Sequence, residues 1–468
     1  MTLRLLAPLP GAAPPFEPLD PANVRVYSCG PTVYGPAHVG NFRSFLFADL
    51  LVRYLRYRGH PVTWVMNVTD VDDKIIRGAR ADGTGIADVA ERYTARFLED
   101  AATLRMTVPD ELPRATANID EMAALIETLL ERGHAYRTDD GSVFFRIASW
   151  PAYGRLAHLD PAEMRVGERV EADEYAKDDV RDFALWKGPR ADEPSWETAV
   201  GPGRPGWHIE CSAMSMRYLG SSFDVHTGGV DLVFPHHEDE MAQSEAATGE
   251  PFVRTWLHCA HLQMGGEKMA KSTGNIARVA DLVDDGVSPR ALRYALIAAH
   301  YRMSLSFGPD SLRAATSAVE RLDAVWAALG AYTTDGPDDD GLDTVLAGAR
   351  RGFEDGLDDD LNVSPALAAV FDLVRELNRR IAGRTLSIAD AGRARAVLAD
   401  LDRVLGLLPD EDALEPDLAA LVEARAAARA AREWAESDRL RAELLARGVA
   451  VEDTRDGQRW RRTEARDG

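Results

Sequence analysis

Cys29, Cys211, His236 and Glu240 carry the most pointed chemistry in this chain. Two thiolates, an imidazole and a carboxylate form a tetrahedral zinc set by donor type. Their scattering along the sequence is not a zinc-finger spacing. His236 and Glu240 lie four apart behind Pro235, so on a helix they share one face. Cys29 runs into Gly30-Pro31-Thr32-Val33-Tyr34-Gly35-Pro36-Ala37-His38-Val39-Gly40-Asn41, and Cys211 sits in Pro205-Gly206-Trp207-His208-Ile209-Glu210-Cys211-Ser212. The third cysteine, Cys259, reads as a buried strand residue.

Two further runs suit phosphate chemistry. His38-Val39-Gly40-Asn41 stands where a strand gives way to a helix, and a helix N-terminus offers free N–H groups to an anion. Gly40 permits close backbone approach, and His38 can donate to a phosphate oxygen. Lys268-Met269-Ala270-Lys271-Ser272-Thr273-Gly274-Asn275 makes a cationic loop able to meet charge building on pyrophosphate. Either run alone reads as an ordinary turn or a solvated lysine pair. Their pairing, in this order, makes a nucleotide site.

The elements that must position these residues alternate. Residues 24–27 read as a strand, 41–58 as a helix by the spacing of Phe45, Phe47, Leu50, Leu51, Tyr54 and Leu55, 62–69 as a strand, and 70–81 as a helix. Such β-α-β-α order predicts a doubly wound parallel sheet that binds ligands at the strand C-terminal ends. A helix near 119–132 and a hairpin around 138–141 mark an insertion, and strand signals resume at 222–226 and 255–264. Beyond about residue 310 the chain turns helical. Residues 449–462 read as a strand-and-turn cap with Asp456-Gly457 at the turn. The expected divisions are 1–117 and 206–265 for the two halves of the Rossmann-like α/β catalytic domain, with 118–205 as the insertion. Residues 266–315 carry the lysine loop, 316–408 form a helical bundle, and 409–468 form a small terminal domain.

At 468 residues the chain is long enough for two or three domains with buried cores. Three widely separated cysteines argue against a disulfide framework and for a reducing compartment. No apolar run reaches the ~20 residues that span a bilayer, and the first ten residues do not form a signal peptide. The expectation is a cytoplasmic protein without membrane contact. A net charge of −22 opposes promiscuous polyanion binding, but local basic surface suffices for RNA. From residue 420 onward there are eleven Arg against ten Asp and Glu. Arg425, Arg429 and Arg432 fall on one helical face, which would serve equally as a solvated face or an RNA contact.

The histidine and lysine signatures resemble those of class I aminoacyl-tRNA synthetases. The finer similarity is to the cysteinyl-tRNA synthetase family, and it includes Asn67-Val68-Thr69-Asp70-Val71-Asp72-Asp73-Lys74, Gly228-Gly229-Val230-Asp231-Leu232-Val233-Phe234-Pro235-His236-His237-Glu238, Asp358-Asp359-Asp360-Leu361-Asn362 and Trp460-Arg461-Arg462. The resemblance spans nearly the whole chain. It implies ATP-dependent activation of L-cysteine and transfer to the 3′ end of tRNA(Cys), with one Zn²⁺ per chain on Cys29, Cys211, His236 and Glu240, and Mg²⁺ accompanying ATP. His38, Asn41, Lys268 and Lys271 would be catalytic, and His38, Gly40 and Lys271 would hold ATP. Thr69, Trp207 and Asp231 would line the amino-acid pocket. The terminal domain would bind the anticodon, with residues near Trp460 touching it unless Trp460 is a core residue. A monomer is expected. Two positions depart from the family pattern: Asn41 stands for His, and Ala270 for Ser. The insertion shows no hydrolytic triad, so no editing site is expected. Two alternatives remain at this level: a cysteine–amino-sugar ligase sharing the catalytic domain, and a silent RNA-binding paralogue.

Overall fold

The computed structural model describes residues 2–6, 14–159, 179, 181–264, 267–268, 276–410, 416–454 and 457–462. They fall into two compact units, residues 1–408 and 409–468.

The first unit is built on a four-stranded parallel sheet. Strand β1 (Val24–Ser28) leads into helix α1 (Val39–Tyr57), which returns the chain to β2 (Val62–Met66). After the insertion, helix α2 (Trp207–Leu219) feeds β3 (Phe223–Gly229), and α3 (Glu238–Thr248) feeds β4 (Val253–Cys259). The strand order is β2-β1-β3-β4, so the winding reverses between β1 and β3. At such a switch point the connections leave in opposite directions and open a crevice beyond the strand C-termini. Cys29 follows β1, Thr69 lies three residues past β2, Asp231 follows β3, and Cys259 ends β4. The expected strand 62–69 is shorter than its apolar run. Residues beyond Met66 leave the sheet for single bridges, Thr32 with Thr69 and Val68 with Arg114.

Helix α1 is apolar nearly all round and buried accordingly, from Phe42 and Leu46 through Leu55. Its core joins Trp64, Val225 and Leu257 of the sheet to Leu292, Phe353 and Leu398 of the later helices. Within it, Asp49 on α1 meets Arg293 at 2.7 Å with both side chains fully buried.

The insertion folds as a helix (Ile119–Glu131) beside an antiparallel sheet of Ala135–Arg137, Val143–Phe145, Phe183–Lys187 and Arg204–Pro205. The hairpin expected around residue 140 is present, with Thr138 N–H closing on Ser142 O at 2.9 Å. After the short helices Val279–Asp284 and Pro289–Ile297 come the longer ones Pro309–Gly330, Leu342–Asp358, Val363–Gly383 and Ile388–Leu405. No helix among the described residues is long and apolar enough to cross a membrane.

The second unit packs helices Pro416–Ala430 and Trp434–Ala446 with the hairpin Val449–Thr454 and Gly457–Arg462. Trp460 lies partly buried against Leu418, Leu444, Val449 and Val451. Its ring is therefore part of this small core. Arg425, expected on an outer helical face, is 1% exposed. Its guanidinium meets Asp453 Oδ1 at 3.0 Å and Gln458 Oε1 at 2.6 Å, tying helix to hairpin.

Candidate active site and metal centre

The crevice at the switch point is a cavity of about 500 Å³. Its wall includes Cys29, His38, Gly40, Asn41, Thr69, Trp207, Cys211, Asp231 and His236, so residues from distant parts of the sequence face one space. Lys271 lies outside the described residues. Lys268 closes a short strand, Glu267–Lys268, antiparallel to Leu262–Met264, and only its backbone is described.

Cys29, Cys211, His236 and Glu240 offer one donor atom each, all within 4.8 Å of one another. The two sulfurs are 4.0 Å apart. A tetrahedral ion with Zn–S bonds of about 2.3 Å would set them about 3.8 Å apart, so the donors fit with little movement. His236 Nε2 stands 3.0 Å from Glu240 Oε1. The four-residue spacing works although His236 precedes α3, in the irregular turn Val233–His237.

The charges fit a cation site. Burial pushes the Cys29 thiol up, and the Cys29 hydrogen bond brings the Cys211 thiol down to about 6. Burial alone would raise the Glu240 carboxyl, but His226 and His236 hold it at about 2. Burial disfavours the His236 cation, yet Glu240 and Cys211 raise it to about 10.

Sequence reasoning missed the groups around these donors. His208 Nδ1 lies 2.8 Å from His236 Nδ1, and its Nε2 lies 3.3 Å from Asp239 Oδ2. Asp239 also accepts the Tyr153 hydroxyl at 2.5 Å, which links the insertion to the cluster. His226 Nε2 meets Glu240 Oε2 at 3.1 Å, and His237 Nε2 meets Cys29 Sγ at 3.3 Å. His237, immediately before α3, is buried inside the cluster. The only sequence signal was the local density of histidines, because His226 and His258 lie on strands remote from either motif. Cys259 is buried as expected and belongs to neither donor set found among the described residues.

The pocket residues are held from behind. Asn67 Oδ1 accepts Gly30 N–H at 2.9 Å, Asn67 Nδ2 reaches Thr69 Oγ1 at 3.1 Å, and Thr69 Oγ1 donates to Glu210 Oε2 at 3.1 Å. Gly30 is required here: a Cβ would stand 1.8 Å from the Asn67 carbonyl oxygen. Trp207 stacks on His236 with centroids 4.2 Å apart and remains 40% exposed to the cavity side. At the other end of the cavity, His38 caps α1 and Asn41 closes a reciprocal cap with it. This puts the start of a long helix, with its positive potential, at the cavity wall.

Comparison with known proteins agrees along the full length. A family model described as the class I (C) tRNA synthetase catalytic domain matches residues 15–317, a DALR domain matches 352–409, and a cysteinyl-tRNA ligase anticodon binding domain matches 411–461. A cysteine–tRNA ligase of Solibacter usitatus is 46% identical, covering 99% of this chain and 100% of the relative. One from Symbiobacterium thermophilum is 45% identical with the same coverage. Among solved structures, Mycobacterium tuberculosis methionyl-tRNA synthetase with methionyl-adenylate has a TM-score of 0.59 at 17% identity, covering 82% of this chain and 90% of its own. An Agrobacterium radiobacter leucyl enzyme in complex with tRNA has a TM-score of 0.62 at 12% identity, covering 84% and 85%. These two establish the fold.

Proposed function

The chain belongs to the cysteine–tRNA ligase family of class I aminoacyl-tRNA synthetases, and from that premise we propose that it selects L-cysteine through a zinc ion held by Cys29, Cys211, His236 and Glu240. The reaction is ATP-dependent activation of cysteine to its adenylate, then transfer to the 3′ end of tRNA(Cys). The observation that carries the zinc reading is the convergence of two thiols, an imidazole and a carboxylate beside the cavity that His38 also lines.

Cysteine and serine differ by one atom, and a shape-based pocket separates such pairs by only ~1–3 kcal/mol. Bound zinc supplies a soft centre that prefers sulfur and deprotonates a thiol readily, which a hydroxyl resists. The chain's own residues do the rest. Thr69, Trp207 and Asp231 line the cavity and would form the amino-acid pocket. The Asn41 backbone N–H donates to His38 Nδ1 at 3.2 Å, so a neutral His38 carries its proton on Nε2 and can donate to a phosphate oxygen. Gly40 lets the first turn of α1 approach the phosphates, and Lys268 and Lys271 supply cationic charge for pyrophosphate as it leaves, with Mg²⁺ accompanying ATP. Catalysis is then mainly positional and electrostatic.

We assign residues 1–117 and 206–265 to the nucleotide fold, 118–205 to the insertion, 266–315 to the lysine loop region, 316–408 to the helical bundle and 409–468 to anticodon binding. The protein would act as a cytoplasmic monomer. An amino-sugar ligase is not favoured, because that reaction has no use for an anticodon-binding domain.

The test is cysteine-dependent ATP–pyrophosphate exchange and charging of unfractionated tRNA, with serine as control, before and after chelation. Exchange and charging with cysteine should fall on chelation and return with zinc. Metal-free protein that still prefers cysteine strongly over serine would remove the metal from the explanation.

A further inference from the structure

The cluster contains a second, deeper donor set. Cys29, His226, His237 and Glu240 also bring one donor atom each within 4.8 Å of one another. This set shares Cys29 and Glu240 with the first, and with one ion per chain only one of the two sets is filled at a time. The two shared residues are placed to serve both sides. Glu240 turns Oε1 toward His236 at 3.0 Å and Oε2 toward His226 at 3.1 Å. Cys29 Sγ lies 4.0 Å from Cys211 Sγ and 3.3 Å from His237 Nε2.

His237 Nδ1 lies 2.8 Å from His258 Nε2, and with His258 as the acceptor the His237 proton sits on Nδ1 and Nε2 is bare for a metal. His226 is fully buried, and its Nδ1 has no hydrogen-bond partner among the described residues. Its Nε2 faces Glu240 Oε2 and would be the donor to an ion held between them. Neither His226 nor His237 lines the cavity, whereas Cys29, Cys211 and His236 do.

We propose that Cys29, His226, His237 and Glu240 form an inner metal station, so that a single zinc-type ion has an outer position open to the cavity and an inner one closed from it. With both thiolates intact the outer set wins, because it offers two sulfurs to a thiophilic ion. Loss of an outer ligand moves the ion inward without releasing it. The protein then keeps its metal but loses contact between the metal and substrate sulfur. This inference rests on the proposed outer site, and the two can fail separately.

The experiment is X-ray absorption at the zinc edge with metal analysis, on zinc-loaded wild-type, Cys211→Ser and His236→Asn proteins. Wild type should show two sulfur neighbours and one imidazole, the outer set. Any other count there sinks the outer assignment itself. Cys211→Ser should retain one ion with one sulfur and two imidazoles, the inner set. Added cysteine should contribute a further sulfur in wild type and none in the variant. One sulfur with one imidazole in Cys211→Ser would mean the ion stayed outside, and a folded variant without metal would mean there is no inner station. Either result overturns the proposal. Should Cys211→Ser fail to fold, His236→Asn decides: one sulfur with two imidazoles supports the inner station, and two sulfurs without imidazole refutes it.

Discussion

Asn41 and His38 hold each other in place: the Asn41 backbone N–H donates to His38 Nδ1 at 3.2 Å, and Asn41 Oδ1 accepts the His38 backbone N–H at 3.1 Å. Asn at this position, a departure from the family pattern, therefore has a structural task that needs no charge. Replacing it with Ala removes the Oδ1 half of this reciprocal cap and keeps the backbone N–H that holds the imidazole. The expected cost is about 1 kcal/mol of stability. Adenylation should slow by less than about tenfold, because the backbone bond that orients the His38 ring survives. Thermal melts and pyrophosphate exchange measure both, and an Asn41→Ala protein with exchange reduced far beyond tenfold would show that the Asn41 side chain does more than cap the helix.

Removing the ion should have a larger effect. Chelation is expected to lower cysteine-dependent exchange by at least ~100-fold, with recovery on adding zinc. Burial pushes the Cys29 thiol up, and that thiol must lose its proton to bind metal. Zinc affinity should therefore increase as pH rises, with protons released on binding. Competition titrations at several pH values test this, and a flat profile would show that Cys29 is not a ligand.

The buried pair Asp49–Arg293 should dominate acid stability of the first unit. Burial alone would raise the Asp49 carboxyl, but Arg293 and Arg53 outweigh it and hold the group below its ordinary 3.8. A depressed folded value means the stabilisation is fully present above the ordinary value and is lost as pH falls through the folded one. Asp49→Asn leaves Arg293 buried beside a neutral group and should cost about 3–5 kcal/mol. Urea melts at neutral pH give the loss. The acid limb of the stability profile should also flatten in the variant, and an unaltered limb would assign acid sensitivity to other groups.

Trp460 and Trp434 should separate packing from recognition in the second unit. Trp460 packs on the small core, whereas Trp434 is 56% exposed with the Arg429 guanidinium 5.7 Å from its ring centre. Trp460→Ala should destabilise this unit by about 3 kcal/mol or more. Trp434→Ala should leave it folded, removing an aromatic face worth about 1–3 kcal/mol to a stacked base. Both should raise KM for tRNA and leave pyrophosphate exchange unchanged. Circular dichroism of the two variants tells them apart, and a Trp434→Ala protein with normal charging would exclude that face from RNA contact.

Much of this was legible in the chain. The long apolar run from Phe45 to Leu55, closed by Gly59, marked α1 to within two residues at its start, because a stretch of that length without a turn residue suits a buried helix. The Gly30 position was legible only as a motif, since its reason is the Asn67 carbonyl packed against it. The residue types that could bind zinc were also visible, and their donor chemistry does not depend on the fold. Trp460 could be read either way, because an aromatic between arginines suits a stacking surface and a small core alike.

By itself the sequence determined which groups could act: two thiols, an imidazole and a carboxylate for a soft metal, a histidine and lysines for phosphates. Only the tertiary structure decided that Cys29 and Cys211, far apart along the chain, sit 4.0 Å from each other, and that Glu240 stands between His236 and His226. The physical reason is topological. Side-chain periodicity is a local property, whereas the parallel pairing of β1 with β3 brings together segments whose separation in sequence carries no signal of their contact.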